Sequence, residues 1–438
     1  MTAGQQMDTI VALSSGQLPS GVGVIRASGP DVLGICAAFG VKLPRPRFAH
    51  FSKILSPLDA SVVDEGLVLY FPGPNSFTGE QVLELQLHGS RAVVQFVLDQ
   101  MIKLPGIRLA EPGEFTRRAF ENGKLDLTRV EGIADLIDAR TESQRALAVA
   151  RMQGGLSAKL ADWRQQLVRL RAEIEARLDF SDEEDVPFEL PTSYSQDLLE
   201  LASQISDQLK TFDQGRMIRE GVSVALVGKP NVGKSTVLNA LSRSDAAIVT
   251  DIPGTTRDVI EVEIDLHGIL FRLADTAGVH DTEDEVERLG IERSVRSALQ
   301  ADIVVGLTDD GSLPDGFEYD LIVGTKSDMR GSSLAQNIVD CEISAKTDPD
   351  LTVLKAALIS TITEANDSRE TMLISHVRDK AALTETSEAL VRGCDLVYAP
   401  ELLAEELRVA TYCLARLVGE VGTEDVLDEL FSGFCIGK

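Results

Sequence analysis

The run Gly228-Lys229-Pro230-Asn231-Val232-Gly233-Lys234-Ser235 constrains this chain more than any other stretch. It follows directly on the apolar segment Val222 to Val227, which has strand character, and opens a helical pattern from Thr236 to Leu241. A strand, a tight glycine-bounded turn and a helix start are what a phosphate site made of backbone requires. The turn's N–H groups and the helix N-terminus surround the anion, a lysine reaches the outer phosphates, and a serine hydroxyl can ligate magnesium. Asn231, Val232, Gly233, Lys234, Ser235 and Thr236 are therefore expected around the phosphates of a nucleotide. Lys234 is also expected to offset charge developing in the reaction, and Ser235 to hold Mg2+.

Three later segments narrow the nucleotide. Asp275-Thr276-Ala277-Gly278 follows the apolar pattern Ile269 to Ala274; there a carboxylate can hold magnesium through water, and a glycine amide can meet a γ-phosphate. Thr325-Lys326-Ser327-Asp328 follows a strand pattern ending at Val323. A carboxylate at Asp328 can accept both N–H hydrogens on the edge of guanine, a donor pair that adenine lacks. Ser344-Ala345-Lys346 comes after one more short strand and is similar to the second guanine-contacting loop of GTPases. Each signal is weak alone. Four in this order, each on a loop after a strand, make GTP the expected ligand.

Composition bounds the rest. A chain of 438 residues has room for several domains. Its net charge of -27 disfavours a broad electrostatic grip on nucleic acid, so an RNA contact is expected only on a local basic patch. The five cysteines, at positions 36, 341, 394, 413 and 435, form no CxxC pair. Metal-cluster and disulfide-scaffold readings lapse, and a reducing compartment fits. The five histidines, at 50, 88, 267, 280 and 376, show no ligand spacing. No apolar run is long enough to span a bilayer, and the N-terminus lacks a basic region followed by an apolar core. A soluble cytoplasmic protein without a membrane partner is expected.

Read in order, residues 1–122 form a mixed α/β module. Strands are expected at Val22 to Ala27, Gly66 to Phe71 and Gln81 to His88, the last with Leu83, Leu85 and Leu87 on one face and Glu84, Gln86 and His88 on the other. Helices are expected from Ala92 to Leu104 and after the break at Pro112-Gly113. Residues 123–215 change to helical period, with Leu167, Leu170, Ile174 and Leu178 on one stripe and Leu198, Leu201, Ile205 and Leu209 on another. The acidic run Ser181 to Asp185 between them reads as a solvated connector, since it lacks the spaced ligands of a calcium loop. Residues 216–368 alternate strand and helix, which implies a parallel sheet covered on both faces. Residues 369–438 return to helix, with Leu403, Leu407, Ala410, Leu414 and Leu417 aligned. The expected fold is thus multidomain α/β: a P-loop GTPase domain inserted into an all-α helical domain, preceded by an α+β domain.

Several runs outside the nucleotide motifs carry a resemblance that covers nearly the whole chain in one order. They are Gly73-Pro74-Asn75-Ser76-Phe77-Thr78-Gly79-Glu80, Pro112-Gly113-Glu114-Phe115-Thr116, Asn122-Gly123-Lys124-Leu125-Asp126-Leu127, Gly254-Thr255-Thr256-Arg257-Asp258 and the terminal Phe434-Cys435-Ile436-Gly437-Lys438. With the central motifs, they make the chain resemble the MnmE/TrmE tRNA-modification GTPases. The resemblance implies a homodimer built through the N-terminal domains. It implies binding there of a 5,6,7,8-tetrahydrofolate derivative by Arg26, Glu84, Lys124 and Lys438. It also implies a hetero-oligomer with a FAD-dependent partner protein of the MnmG/GidA type, and tRNA as the substrate, modified at carbon 5 of wobble uridine 34.

The same resemblance assigns the segments whose chemistry is otherwise open. Thr250, Asp251, Ile252, Pro253, Gly254, Thr255 and Thr256 would close on GTP, with Thr256 joining Ser235 on magnesium. K+ would be held by Asn231, Thr250, Ile252 and Thr255; by residue type alone Asn231 is equally a turn former. Val279 stands where many small GTPases place a water-orienting glutamine, and an apolar side chain cannot do that work. The resemblance gives the task to Glu287, acting through a bridging water. It makes a role for the thiol of Cys435 plausible without defining it, the plainer reading being a small residue docked on helices. Two other functions fit parts of the pattern: a GTP-controlled RNA-assembly factor, and a folate-dependent one-carbon transferase regulated by GTP. The first calls for a basic RNA-binding domain after the GTPase, where this chain has amphipathic helices instead.

Overall fold

The computed structural model describes residues 8–179, 190–244, 246–248, 261–275, 298–330, 333–334, 338–363, 372–422, 424–434 and 436–437. They divide into two compact units, Met1–Ala134 with Ala415–Lys438, and Asp135–Leu414.

The first unit is built on a six-stranded sheet. Its strands are β1 (Thr9–Leu13), β2 (Ser20–Ser28), β3 (His50–Leu55), β4 (Val62–Phe71), β5 (Val82–Gly89) and β6 (Ile107–Leu109), in the order β3-β4-β5-β2-β1-β6. All neighbours are antiparallel except β1 and β6. The alternation read in β5 holds: Leu83, Leu85 and Leu87 are buried, whereas Glu84 and Gln86 are half-buried and His88 is exposed. Helices α1 (Val32–Ala38) and α2 (Arg91–Met101) bring Val32, Ile35, Val94, Val97 and Met101 onto that apolar face. Strand β1 escaped the period-two reading because Ile10, Val11 and Ala12 are all buried, so it shows no alternation.

Two further helices, α3 (Glu114–Glu121) and the first turns of α4 (Leu127–Asp138), belong to this unit. Leu127 and Val130 of α4 join Leu427, Phe431 and Phe434 from the C-terminal end in a separate apolar cluster. Gly113, at φ +68°, precedes α3 where a β-carbon would stand 2.9 Å from the Phe431 ring, so both backbone and space require glycine. The chain end docks on the sheet: Ile436 bridges Pro112, and the Ser14 hydroxyl donates to the Gly437 carbonyl at 2.8 Å.

The second unit begins with α5 (Glu142–Met152), α6 (Gly155–Asp179), α7 (Tyr194–Leu209) and α8 (Phe212–Glu220). The stripes read from sequence face inward: Leu167, Leu170, Ile174, Leu198, Leu201 and Ile205 are buried, each contributing roughly 2 kcal/mol. The acidic connector between α6 and α7 lies outside the described residues. Helix α8 runs across position 215, where the helical part was expected to end.

A second six-stranded sheet follows, made of β7 (Val222–Gly228), β8 (Glu261–Leu266), β9 (Ile269–Asp275), β10 (Ile303–Thr308), β11 (Leu321–Gly324) and β12 (Cys341–Glu342), in the order β12-β11-β10-β7-β9-β8. On one face Val224 and Leu226 pack with α9 (Lys234–Ser242) and α10 (Thr352–Thr363); on the other, Ala225 and Val227 pack with Ala298 and Val304. The sheet is parallel as expected, except that β8 runs antiparallel to β9. The two-residue turn His267-Gly268, at φ +55° and +86°, forces this, because a tight turn with both residues left-handed reverses the chain into a hairpin.

Beyond the sheet, α11 (Val377–Cys394) and α12 (Pro400–Val418) restore helix. Helix α11 packs along α7, which lies before the sheet in sequence. The same unit buries an ion pair between Arg151 of α5 and Asp379 of α11 at 2.8 Å, and Gly215 of α8 lies so close to the Ile374 carbonyl that a β-carbon would come within 2.2 Å.

Candidate functional site

Strand β7 delivers the phosphate-loop sequence to the C-terminal edge of the parallel sheet, where ligands of open α/β sheets bind. A β-carbon on Gly228 would stand 2.6 Å from the Leu307 carbonyl of β10, so no other residue lets the chain leave the strand here. Asn231 and Gly233 take φ +60° and +110°, which curls the loop and points it into α9. Lys234 bends back over the loop, its Nζ donating to the carbonyls of Gly228 at 2.9 Å and Lys229 at 3.3 Å. Ser235 and Thr236 are on the first turn of α9, and both are exposed. The side chain of Val232 is buried in the core, so only its backbone faces the loop's concave side.

The later loops close on the same edge. The Thr325 hydroxyl donates to the Val232 carbonyl at 2.7 Å, and Lys326, at φ +56°, lays its Nζ on the Asn231 carbonyl at 2.7 Å and on Asp309 at 2.8 Å. Asp328 accepts the Ser344 hydroxyl at 2.7 Å and has the Lys346 ammonium at 3.8 Å, with Ala345 between those two partners in sequence. These described segments are thus stitched together by side chains on carbonyls. Asp309 and the Asp310–Lys229 pair, 3.3 Å apart, were not anticipated; the signal was the loop Thr308-Asp309-Asp310 directly after the apolar Ile303 to Leu307.

Asp275 ends β9, its backbone in register with Leu226 of β7. The expected site residues Thr250, Asp251, Ile252, Pro253, Gly254, Thr255, Thr256, Thr276, Ala277, Gly278, Glu287, Cys435 and Lys438 lie outside the described residues.

In the first unit Arg26 and Glu84 face each other across β2 and β5, with Nε and Oε1 2.9 Å apart and the guanidinium 5.7 Å above the Phe115 ring. Lys124 lies beside the loop that joins β4 to β5: a β-carbon on Gly79 would meet its Cε at 3.3 Å. Behind them is a buried ionic cluster that sequence reading missed. Arg118 donates to Asp8 at 2.7 Å, Glu80 at 3.2 Å and Glu114 at 3.1 Å, and Arg108 also binds Glu114. Burial pushes the Glu114 carboxyl up, but hydrogen bonds from Arg108 and the Glu111 amide outweigh it and hold the group below its usual range. The cluster, with the Asn122 amide on the Thr78 carbonyl at 2.7 Å, fixes the loop between β4 and β5.

A second polar cluster sits among the helices near the start of the other unit. Burial raises the Asp135 carboxyl to about 6, against the pull of Arg151 and Arg219. Burial with the same arginines and Arg378 pushes the His376 imidazole far down, so it is neutral. Its Nε2 is 3.7 Å from Asp135.

Comparison with known proteins decides the family. The model for the MnmE helical domain matches residues 127–435, and that for the N-terminus of the GTP-binding protein TrmE matches residues 9–124. The chain belongs to the MnmE family. The MnmE proteins named tRNA modification GTPase from Azorhizobium caulinodans and Agrobacterium fabrum are 44% and 46% identical to it, each over 98% of this chain and 99% of their own. A solved G domain, that of the T. maritima FeoB iron transporter, is 23% identical and aligns over 32% of this chain and 98% of its own with a TM-score of 0.26, too low to bear on function. In keeping with the MnmE match, the N-terminal match ends at Lys124 and the helical match brackets the whole second sheet. Among the described residues no helix is long and apolar enough to cross a membrane.

Proposed function

We propose that this chain, a GTP hydrolase by family, uses GTP hydrolysis in its second sheet to rearrange flanking helices and so organise modification of wobble uridine 34 of certain tRNAs at carbon 5. The observation that carries the reading is the convergence of the phosphate loop with the Thr325–Asp328 and Ser344–Lys346 loops at one sheet edge, tied by Lys326 on Asn231. A carboxylate oriented by Ser344 beside a phosphate-sized turn selects guanine and positions its phosphates at α9. Insertion of this GTPase domain, residues 216–368, between helical parts 123–215 and 369–438 is supported by α7 packing on α11.

The residues present fit Mg2+ at Ser235, a hydroxyl on the first turn of α9 beside the loop, with Thr256 as its expected companion. When bound, the ion neutralises phosphate charge. Lys234 sits where it can turn from the loop carbonyls to the outer phosphates, and Glu287 is assigned to orient water. Asn231 supplies an oxygen suited to K+, with Thr250, Ile252 and Thr255.

Arg26, Glu84 and Lys124 offer the acid and cations that a pterin with carboxylates requires. The docking of Gly437 beside Leu13, whose neighbour Ala12 pairs with Arg26, supports an approach of Lys438 to that group. A folate derivative held there supplies the one-carbon unit. The exposed cross-strand pair Phe51 and Leu67 supports a homodimer through the first unit. A FAD-dependent partner of the MnmG/GidA type and a cytoplasmic location complete the reading. Mass spectrometry of tRNA nucleosides from cells lacking the gene tests it: loss of the carbon-5 substituent is expected, and unchanged wobble uridines would overturn it.

A further inference from the structure

We propose that the β8–β9 hairpin is the mechanical link between the nucleotide loops and helix α5, held by a polar latch of Arg140 on Glu263 and the Ser143 amide on the Gly268 carbonyl. The inference rests on the GTP reading of the opposite end of the sheet.

The hairpin spans the distance between the two places. At one end β9 lies in register beside β7, which enters the phosphate loop, and β9 finishes at Asp275. There β8 starts at Glu261, three positions after the Gly254-Thr255-Thr256-Arg257-Asp258 run. Strands of this length reach roughly 20 Å. At the other end the turn meets the N-terminus of α5. Thr141 caps that helix, with Gln144 completing the reciprocal box, and the Ser143 N–H is one of the first-turn donors that a helix leaves without an internal partner. The Gly268 carbonyl accepts it at 3.4 Å, so the hairpin turn serves as part of the helix cap. A β-carbon on Gly268 would come within 2.8 Å of the Ser143 hydroxyl, which leaves no slack in the seat.

Two further contacts make this seat a junction. Arg140 forms an ion pair with Glu263 of β8, whose carboxylate is mostly shielded from solvent. Gln144 donates to the Arg219 carbonyl at 3.0 Å, near the end of α8, and Gly221 then leads directly into β7. Helix α5 therefore holds both the hairpin and the root of the phosphate-loop strand.

Behind the latch the packing is loose. A cavity of about 660 Å³ separates α5 from the hairpin, lined by Leu147, Ala150, Leu266, Ile269, Met372 and Leu373 among others. Close-packed cores resist sliding, and this apolar space does not, so the polar contacts set the position of the hairpin on the helix. A shift at the nucleotide end is then delivered to α5 through the latch.

Hydrogen–deuterium exchange on the full chain, with and without a non-hydrolysable GTP analogue and magnesium, tests the link. In the unaltered protein the analogue should slow exchange in residues 228–236 and change it in residues 142–152. Arg140→Glu should abolish the second response and leave the first, and Arg140→Glu with Glu263→Arg should restore it. A helix α5 that does not respond in the unaltered protein while the phosphate loop does, or that responds unchanged in Arg140→Glu, overturns the link alone. Absence of any response at 228–236 overturns the GTP reading and the link with it.

Discussion

Replacing Asp328 by Asn should convert the base preference of this site from guanine to xanthine. The Asp328 carboxylate is mostly buried, oriented by the Ser344 hydroxyl at 2.7 Å, and so presents acceptors in a fixed direction. Guanine offers two N–H donors to that edge; xanthine offers one donor and, in place of the amino group, a carbonyl acceptor. An asparagine amide supplies one acceptor and one donor, so it satisfies xanthine and sets an N–H against the amino group of guanine. Hydrogen bonds to charged groups are each worth about 1.5–3 kcal/mol, and the mispaired donor adds a desolvation cost of about 1–3 kcal/mol. Together these predict a loss of roughly a hundred- to ten-thousandfold in GTP affinity, with XTP recovering most of it. Competition of GTP and XTP against a fluorescent nucleotide on the full chain measures both. Equal weakening for GTP and XTP would show that Asp328 holds the loop together and does not read the base.

Three other outcomes are expected. Gly215→Ala should destabilise the second unit by about 1–3 kcal/mol, since the added carbon meets the Ile374 carbonyl at 2.2 Å; a rise in Tm, as helix propensity alone would give, would refute the contact. Asp135→Asn should stabilise the protein at neutral pH by up to about 3 kcal/mol. The folded carboxyl titrates near 6 against 3.8 ordinarily, so the native state favours its protonated form; that stabilisation is complete below about 4 and lost as pH rises through 6. Urea unfolding of both proteins at pH 4 and 8 checks this, with the difference confined to the higher pH. Replacing K+ by Na+ at constant ionic strength should slow GTP turnover strongly, and equal rates in the two salts would remove potassium from the site.

What the sequence disclosed, it disclosed through local rules. The phosphate loop was legible because Gly228 and Gly233 stand where backbone approach and a left-handed turn demand them, and the helical stripes because Leu198, Leu201 and Ile205 repeat at the period of one buried face. The Leu83, Leu85, Leu87 alternation likewise exposed a strand with one wet side. Elements whose burial is not one-sided stayed hidden: β1 is buried almost throughout, and β12 is two residues long. The antiparallel β8 was legible in principle from His267-Gly268, a short turn signal overlooked beside the stronger alternation of strand and helix. Long-range ionic partners were beyond reach, since Arg118 meets Asp8 across 110 positions and nothing in either neighbourhood names the other.

Val232 links two properties that most binding loops keep apart. Its side chain is part of the interior of the second sheet, and its carbonyl receives the hydroxyl of Thr325. The anion-holding turn is consequently sewn into the hydrophobic interior and cannot loosen while the sheet stays intact. Heating should abolish nucleotide capture and sheet structure in one melting event, and natural variation in affinity must arise at the rim, at Lys229, Lys326 or Lys346, where a side chain can change without unravelling the domain.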